Sequence, residues 1–169
     1  MKCIYTRRSI RKYTPESVSP ELLDSFIKAG MNAPSAANQQ PWQFVVIDDR
    51  KLLDELMTVH PHSSMLKQAT AAILVCGDLS LEERQGYWVQ DCAACTQNIL
   101  LEIADAGLGA VWLGVHPRED RVTGIRRILG IPEHVVPFAL IPVGYPAEEK
   151  TPNDKFHPER IHRNGWGGR

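Results

Sequence analysis

A chain of 169 residues, 43% hydrophobic and 23% charged, has the length and composition of one ordinary globular domain. Its formal net charge of −1 gives no overall field that would attract nucleic acid or an anionic membrane. No apolar run approaches the ~18 residues of a membrane-spanning helix, and the N-terminus lacks the apolar stretch of a signal peptide. We therefore expect a single domain over residues 1–169, cytoplasmic, with no nucleic-acid or membrane partner.

The four cysteines, Cys3, Cys76, Cys92 and Cys95, are too few and too irregularly spaced for a disulfide scaffold. Cys92 and Cys95 form a C-x-x-C pair inside a long helical pattern, and no second pair accompanies them. Small apolar residues one helical turn apart are typical of a packed core. We therefore interpret the pair as core residues, with redox or metal use as the open alternative.

Helix and strand signals alternate along the chain. Ser19 is a favourable N-cap, Pro20 suits the first helical position, and Val18 can pack against Leu23. The later elements follow from apolar periodicity and from the glycines and prolines at their ends. In chain order the pattern predicts a helix at 20–33, a strand at 44–47, a helix at 49–59, a strand at 72–76, a helix at 81–106, a strand at 110–115, a helix at 117–129 and a strand at 135–143. This alternation predicts an α+β or α/β fold with three layers.

Two segments have unusual surfaces. The helix at 81–106 carries apolar residues at intervals of three or four, namely Trp88, Cys92, Cys95, Ile99 and Ile103. Such a broad apolar surface suits a central helix, or one buried against a partner chain. Residues 144–169 are rich in proline and charge and have little core of their own, so we expect an arm that wraps over the body or over another subunit.

Several familiar motifs are absent. The glycines of Gly107-Leu108-Gly109 follow a helix and precede a strand, the reverse of a dinucleotide-binding fingerprint. The chain has no Walker phosphate loop and no G-x-S-x-G nucleophile elbow. The proline in His60-Pro61-His62 spoils regular ligand spacing, and no acidic partners lie close by, so we expect no metal there.

A basic segment lies near the N-terminus. Arg7, Arg8, Ser9 and Arg11 place three guanidinium groups and a hydroxyl within five positions. Guanidinium forks match phosphate oxygens bidentately, so the segment suits an anionic group. A solvated basic chain end is the alternative.

A second unusual segment, residues 32–44, leaves a helix, passes through small residues and amides, and enters a strand. Small side chains let a flat ligand approach the backbone, and amide side chains offer both donors and acceptors to a heteroaromatic edge. An ordinary helix-to-strand loop is the alternative.

Together these segments resemble the nitroreductase family. Its Arg-Arg-Ser-x-Arg signature is matched at 7–11, and its Ala-Pro-Ser-x-x-Asn-x-Gln-Pro-Trp-x-Phe signature is matched at 33–44. Residues 98–114 are similar to the family's central helix and following strand, and Pro-Val-Gly-Tyr-Pro at 142–146 is similar to its ending. The resemblance spans nearly the whole chain, although the chain is short for the family. It implies a three-layer α/β/α fold with a central mixed sheet and an extended C-terminal arm at 144–169.

The resemblance also implies flavin mononucleotide (FMN) at the interface of a homodimer. Arg7, Ser9 and Arg11 would hold the phosphate, and Arg8 would reach the ribityl chain or the N1/O2 edge of the ring. The family usually adds a Lys-x-Arg from the arm. Here that place reads Asn153-Asp154-Lys155, so Lys155 keeps one cation and Arg163 is a candidate substitute.

The ring would lie between two other groups of residues. Pro34, Ser35 and Ala36 of the second subunit would pack on it, with Asn38 and Gln40 as polar anchors nearby. The backbone of the stretch formed by Trp112, Leu113 and Gly114 would line the flavin, with the Gly114 N–H facing N5. A donor at this place matters because N5 accepts the hydride.

The implied reaction is ping-pong transfer of a hydride from NADH or NADPH through the flavin to a small acceptor such as a nitroaromatic or a quinone. The cofactor carries the chemistry, so we assign no catalytic side chain. Related enzymes that dehalogenate aromatic amino acids or fragment flavin need lid residues for which this chain has little room. A flavin carrier or redox sensor with little turnover is the alternative from another class.

Overall fold

The computed structural model describes residues 3–167. Within that range the helices are α1 (Cys3–Thr6), α2 (Pro20–Met31), α3 (Arg50–Val59), α4 (Trp88–Asp105) and α5 (Glu119–Leu129). The strands are β1 (Trp42–Ile47), β2 (Ala71–Asp78), β3 (Gly109–Ala110), β4 (Leu113–Gly114) and β5 (Val135–Gly144). The expected cap at Ser19 is present, since its hydroxyl accepts the Leu22 N–H at the start of α2, and the structure adds a cap at Asp49, whose carboxylate accepts the Lys51 and Leu52 N–H groups at the start of α3.

The strands form one sheet in the order β1-β2-β5-β3, and β4 pairs with β5 as well. These strand pairs are antiparallel, and a parallel bridge joins Ser9 to Ala110 of β3. β2 and β5 are almost completely buried along their length, as expected for central strands that are covered on both faces.

Successive residues of β2 point to opposite faces of the sheet and therefore contribute to two separate cores. Ile73 and Val75 belong to the core that includes α2 and α4, whereas Ala72 and Leu74 belong to the core that includes α3 and α5. The fold is thus α+β with three layers, which confirms the expected class.

The helix predicted from residue 81 begins only at Trp88. Leu81 and Tyr87 are exposed, and Gly86 adopts a positive φ that an α-helix does not allow. The Glu82 carboxylate accepts the N–H groups of Gly86 and Trp88, so a side chain marks the helix start. The prediction of continuous helix over 81–87 was wrong because these residues form an exposed turn.

α4 is a central helix of its own chain, the first of the two interpretations left open. Its apolar residues, including Cys92 and Cys95, lie in the core shared with α2. A Cβ on Gly30 of α2 would lie 2.8 Å from Ile99 Cγ1, so the glycine allows the two helices to approach closely. Burial raises the pKa of Cys95 to about 12 and that of Cys92 further, so both thiols remain protonated.

The strand predicted at 110–115 is divided into β3 and β4. Both pair with β5 in one register, which places Pro142 opposite Val111 between them. Proline has no N–H to donate to a ladder, so pairing lapses there and resumes at Leu113. Among residues 3–167, no helix is both long enough and apolar enough to cross a membrane.

Candidate functional site

The basic N-terminal segment lines a small cavity of about 220 Å³. Its lining is polar and cationic, and the residues are Arg7, Arg8, Ser9, Arg11, Lys150, Asn153 and Lys155. Five cationic side chains around so small a volume match the size and charge of a phosphate group. The structure therefore brings together the four N-terminal residues and Lys155 around one cavity.

Backbone contacts to β3 fix the N-terminal half of this cavity. α1 ends at Thr6, and the chain then runs extended so that the Ile10 N–H donates to the Ala110 carbonyl at 3.0 Å. A Cβ on Gly109 would lie 2.7 Å from Ile10 Cγ2, so this approach requires glycine. The arginines are thus attached to the sheet, unlike those of a loose chain end.

Lys150 is a cavity residue that the sequence reasoning missed. Its Nζ donates to the Ser9 carbonyl at 2.8 Å and pairs with the Glu148 carboxylate at 3.1 Å. The Glu148 carboxylate also accepts the Arg11 N–H at 2.6 Å, and this bond lowers the pKa of Glu148. No local motif marks Lys150, because its role depends on contacts about 140 positions away in the sequence.

The arm extends beyond the cavity and exposes apolar side chains. Arg8 Nη1 donates to the Thr151 carbonyl and to Asn153 Oδ1, which attaches the start of the arm to the body. Further along, Phe156 is 70% exposed and Trp166 is 94% exposed. Arg163 lines a separate cavity formed by the arm itself, so within this chain it is not among the residues that line the phosphate-sized cavity.

Gly114 lies four residues beyond Ala110, the residue that anchors the basic segment. At roughly 3.3 Å per residue, an extended chain spans at most about 13 Å over that interval, the scale of a mononucleotide. A Cβ on Gly114 would meet nothing within 4 Å, so open space adjoins this backbone. Leu113 beside it is buried, and the half-buried Trp112 ring packs on Phe138 with centroids 5.8 Å apart.

The loop after α2 adopts an unusual backbone conformation. Ala37, Asn38 and Gln40 have φ angles of 50°, 56° and 46°. Left-handed conformations are uncommon outside glycine and cost free energy, so they persist where surrounding contacts impose them and are concentrated at functional sites. Inside the loop, the Ser35 hydroxyl accepts the Gln40 N–H at 3.0 Å.

Two buried polar residues hold this loop, and the sequence reasoning identified neither of them. Asp91, at the start of α4, accepts the Ala36 N–H at 3.0 Å and the Gln39 Nε2–H at 2.7 Å. Gln39 Oε1 accepts the N–H groups of Glu83 and Arg84, each at 3.0 Å. Because its oxygen is engaged there, the Gln39 amide must present its nitrogen to Asp91.

Pro34, Ser35, Ala36, Asn38 and Gln40 do not line the cationic cavity of their own chain. They form a surface beside the start of α4, with Asn38 and Gln40 exposed. One chain therefore presents the two halves of the predicted site at separate places.

Replacing Asp91 with alanine should lower the free energy of unfolding by at least about 2 kcal/mol. Two donors would lose their acceptor, and an unsatisfied buried donor costs about 1–3 kcal/mol. Asp91→Asn should have an intermediate effect, since the new amide keeps one acceptor but directs its own N–H groups at the Gln39 nitrogen. Chemical denaturation of the apo-protein measures the free energy of unfolding of both Asp91 variants, with Asp105→Ala at the exposed end of α4 as the control. Equal stability of Asp91→Ala and that control would contradict a supporting role.

The sequence of this chain is similar to that of a known protein family. The model of the family described as "Nitroreductase family" matches residues 4–60 and 57–145. The chain belongs to the nitroreductase family. A relative from Methanothermobacter thermautotrophicus named "Putative NADH dehydrogenase/NAD(P)H nitroreductase" is 52% identical, over 98% of this chain and 87% of its own.

Solved structures of similar proteins extend the likeness to three dimensions. A "Putative NADH dehydrogenase/NAD(P)H nitroreductase" from Parabacteroides distasonis has a TM-score of 0.94 and 43% identity, covering 98% of this chain and 97% of its own. A "putative nitroreductase in complex with fmn" from Desulfovibrio desulfuricans has a TM-score of 0.84 and 30% identity, covering 98% of this chain and 96% of its own. Both neighbours share the fold over almost their full length.

Proposed function

We propose that this nitroreductase-family chain binds FMN and works as an NAD(P)H-dependent oxidoreductase that reduces small oxidised acceptors such as nitroaromatics or quinones. The observation that carries the proposal is the cationic cavity of phosphate size, with the open backbone at Gly114 only four residues beyond the anchor at Ala110. The similar Desulfovibrio desulfuricans protein was solved with FMN, which supports the same cofactor here.

The residues present fit the proposed cofactor at both ends. Arg7, Arg11, Lys150 and Lys155 would hold the phosphate, with the Ser9 hydroxyl as a further donor and Arg8 reaching toward the ribityl chain. Because a Cβ at Gly114 would meet open space, a flat ring can approach the backbone of Leu113 and Gly114 closely. The cofactor, when bound, supplies the two-electron chemistry of a ping-pong reaction, accepting a hydride from NADH or NADPH and delivering it to the acceptor.

The active form in this proposal is a homodimer with a shared site. The loop at 34–40 does not line the cationic cavity of its own chain, and in this proposal a second copy brings its loop to the ring. The arm supports the same assembly, since exposed apolar side chains such as Trp166 usually mark an interface. Pro34, Ser35 and Ala36 would then pack on the ring, with Asn38 and Gln40 at its polar edge.

The purified protein should be yellow and should release FMN, not the flavin dinucleotide, on heating. The cationic cavity provides for a terminal phosphate, and we assign no residues to an adenosine half. Under anaerobic conditions, adding NADH or NADPH should bleach the flavin band rapidly. Released dinucleotide, or protein that takes up no flavin when supplied with excess FMN, would contradict the cofactor assignment. Bound FMN that no nicotinamide bleaches would favour a carrier or sensor.

A panel of acceptors added to the reduced protein then tests the substrate class. Nitroaromatics, quinones, free flavins and enones should be compared by the rate at which each restores the flavin band. Reoxidation by none of them, beside rapid bleaching by the nicotinamide, would contradict the proposed acceptor class while leaving the cofactor assignment intact.

A further inference from the structure

Gly114 is held at its carbonyl oxygen by two side chains that belong to distant parts of the chain. His60, which follows α3, places Nε2 at 3.0 Å from that oxygen, and Arg121 of α5 places Nη1 at 2.7 Å from it. His60 is only 2% exposed, so its ring is fixed by the surrounding core. The two contacts converge on the residue at which the proposed ring lies.

One tautomer of His60 satisfies both of its side-chain hydrogen bonds to the backbone. The His62 N–H donates to His60 Nδ1 at 3.3 Å, so Nδ1 is an acceptor and Nε2 carries the proton. Nε2–H and Arg121 Nη1–H, whose nitrogens are 3.3 Å apart, then both donate to the same carbonyl. Burial lowers the pKa of His60, which favours the neutral ring near pH 7. The hydrogen bond to the Gly114 carbonyl partly opposes this lowering.

The position of the Gly114 carbonyl also determines where its N–H points. In an extended strand the N–H and C=O of one residue face the same side, because a hydrogen-bonded pair exchanges both groups with one neighbour. The Gly114 carbonyl is directed at His60 and Arg121, so the N–H also faces away from β5, and open space adjoins the residue. A glycine has wide backbone freedom, and these two bonds restrict it.

We propose that His60 and Arg121 are positioning residues that hold Gly114 so that its N–H faces the bound flavin and hydrogen-bonds to N5. This proposal rests on the proposed function and assigns a role to two residues outside the cofactor contacts. Neither side chain takes part in the chemistry, because both act through the backbone of Gly114.

The test loads FMN labelled with 15N at N5 and records its NMR resonance in wild type, His60→Phe and Arg121→Met. The resonance should lie at a hydrogen-bonded position in wild type and move toward the unbonded position in each variant. FMN affinity should change by less than about threefold, since the phosphate cavity is untouched. The rate of hydride transfer from NADH should fall at least about tenfold with little change in KM, since the lost bond orients the reacting atom.

Two further variants separate positioning from general packing. Arg121→Lys retains a donor and should restore part of the resonance position and of the rate. Arg127→Met removes an exposed cation from the same helix without touching Gly114 and should leave both unchanged. His60→Phe and Arg121→Met proteins that melt lower but keep the wild-type resonance would overturn the proposal and show a purely structural role. Wild type that binds no FMN would instead overturn the proposed function.

Discussion

Arg7→Ala combined with Arg11→Ala should weaken FMN binding by about two to four orders of magnitude. Each arginine lines the phosphate-sized cavity, and hydrogen bonds to charged groups contribute roughly 1.5–3 kcal/mol each. Two lost contacts therefore amount to about 3–6 kcal/mol, with tenfold in affinity for every 1.4 kcal/mol. Titration of the apo-protein with FMN, followed by flavin fluorescence, measures the change.

The matched control removes two positive charges elsewhere. Lys51 and Arg127 are exposed and do not line the cavity, so Lys51→Ala with Arg127→Ala makes the same change in net charge. If the control loses as much affinity as the cavity variant, the effect is one of overall charge. A cavity variant that binds within threefold of wild type would show that the basic segment does not hold the phosphate.

Ending the chain after Lys155 should convert the protein to a monomer that does not retain FMN. The truncation leaves every residue of the cationic cavity in place and removes the exposed apolar part of the arm. If a second copy supplies the 34–40 loop, loss of the interface removes half of each site. Sedimentation at low micromolar concentration, read at the flavin band, should show full-length protein as a yellow dimer and the truncated chain as a colourless monomer.

A full-length variant distinguishes loss of the interface from loss of chain. Phe156, Ile161 and Trp166 are exposed, so replacing all three with serine should leave the body folded but weaken the dimer and FMN binding together. Added FMN should raise the melting temperature of the wild-type dimer by mass action and that of the variant much less. A yellow species of wild-type protein with the mass of one chain would refute the shared site.

The sequence was sufficient for features that depend on neighbouring residues. Ser19 caps its helix as predicted, because an N-cap side chain accepts a backbone N–H only two or three positions away. The buried strand β2 was also recognised, since its apolar run at 72–76 reflects burial on both faces. The run at 44–47 was correctly recognised as a strand, but β1 is only partly buried. The basic segment could be singled out because its arginines are adjacent in the chain, and its phosphate role stays a prediction.

Features that depend on distant contacts were not predictable. Lys150 joins the cavity through the Ser9 carbonyl, and Asp91 supports the loop at 36–39 from another helix. Neither residue has a local motif, and an acidic residue in the first turn of a helix has the simpler explanation of the helix dipole. The start of α4 was misplaced for a related reason: the apolar Leu81 continues the helical pattern but remains exposed.

The crowding of cations around the cavity has a practical consequence for handling the protein. Five like charges repel one another when no anion lies among them, and within residues 3–167 only Lys150 among the five forms an ion pair, with Glu148. Inorganic phosphate or sulfate in a buffer can enter and relieve that repulsion. Such buffers will preserve the apo-protein in storage and will also compete with the cofactor, so the same preparation will give a different dissociation constant in phosphate than in an uncharged buffer.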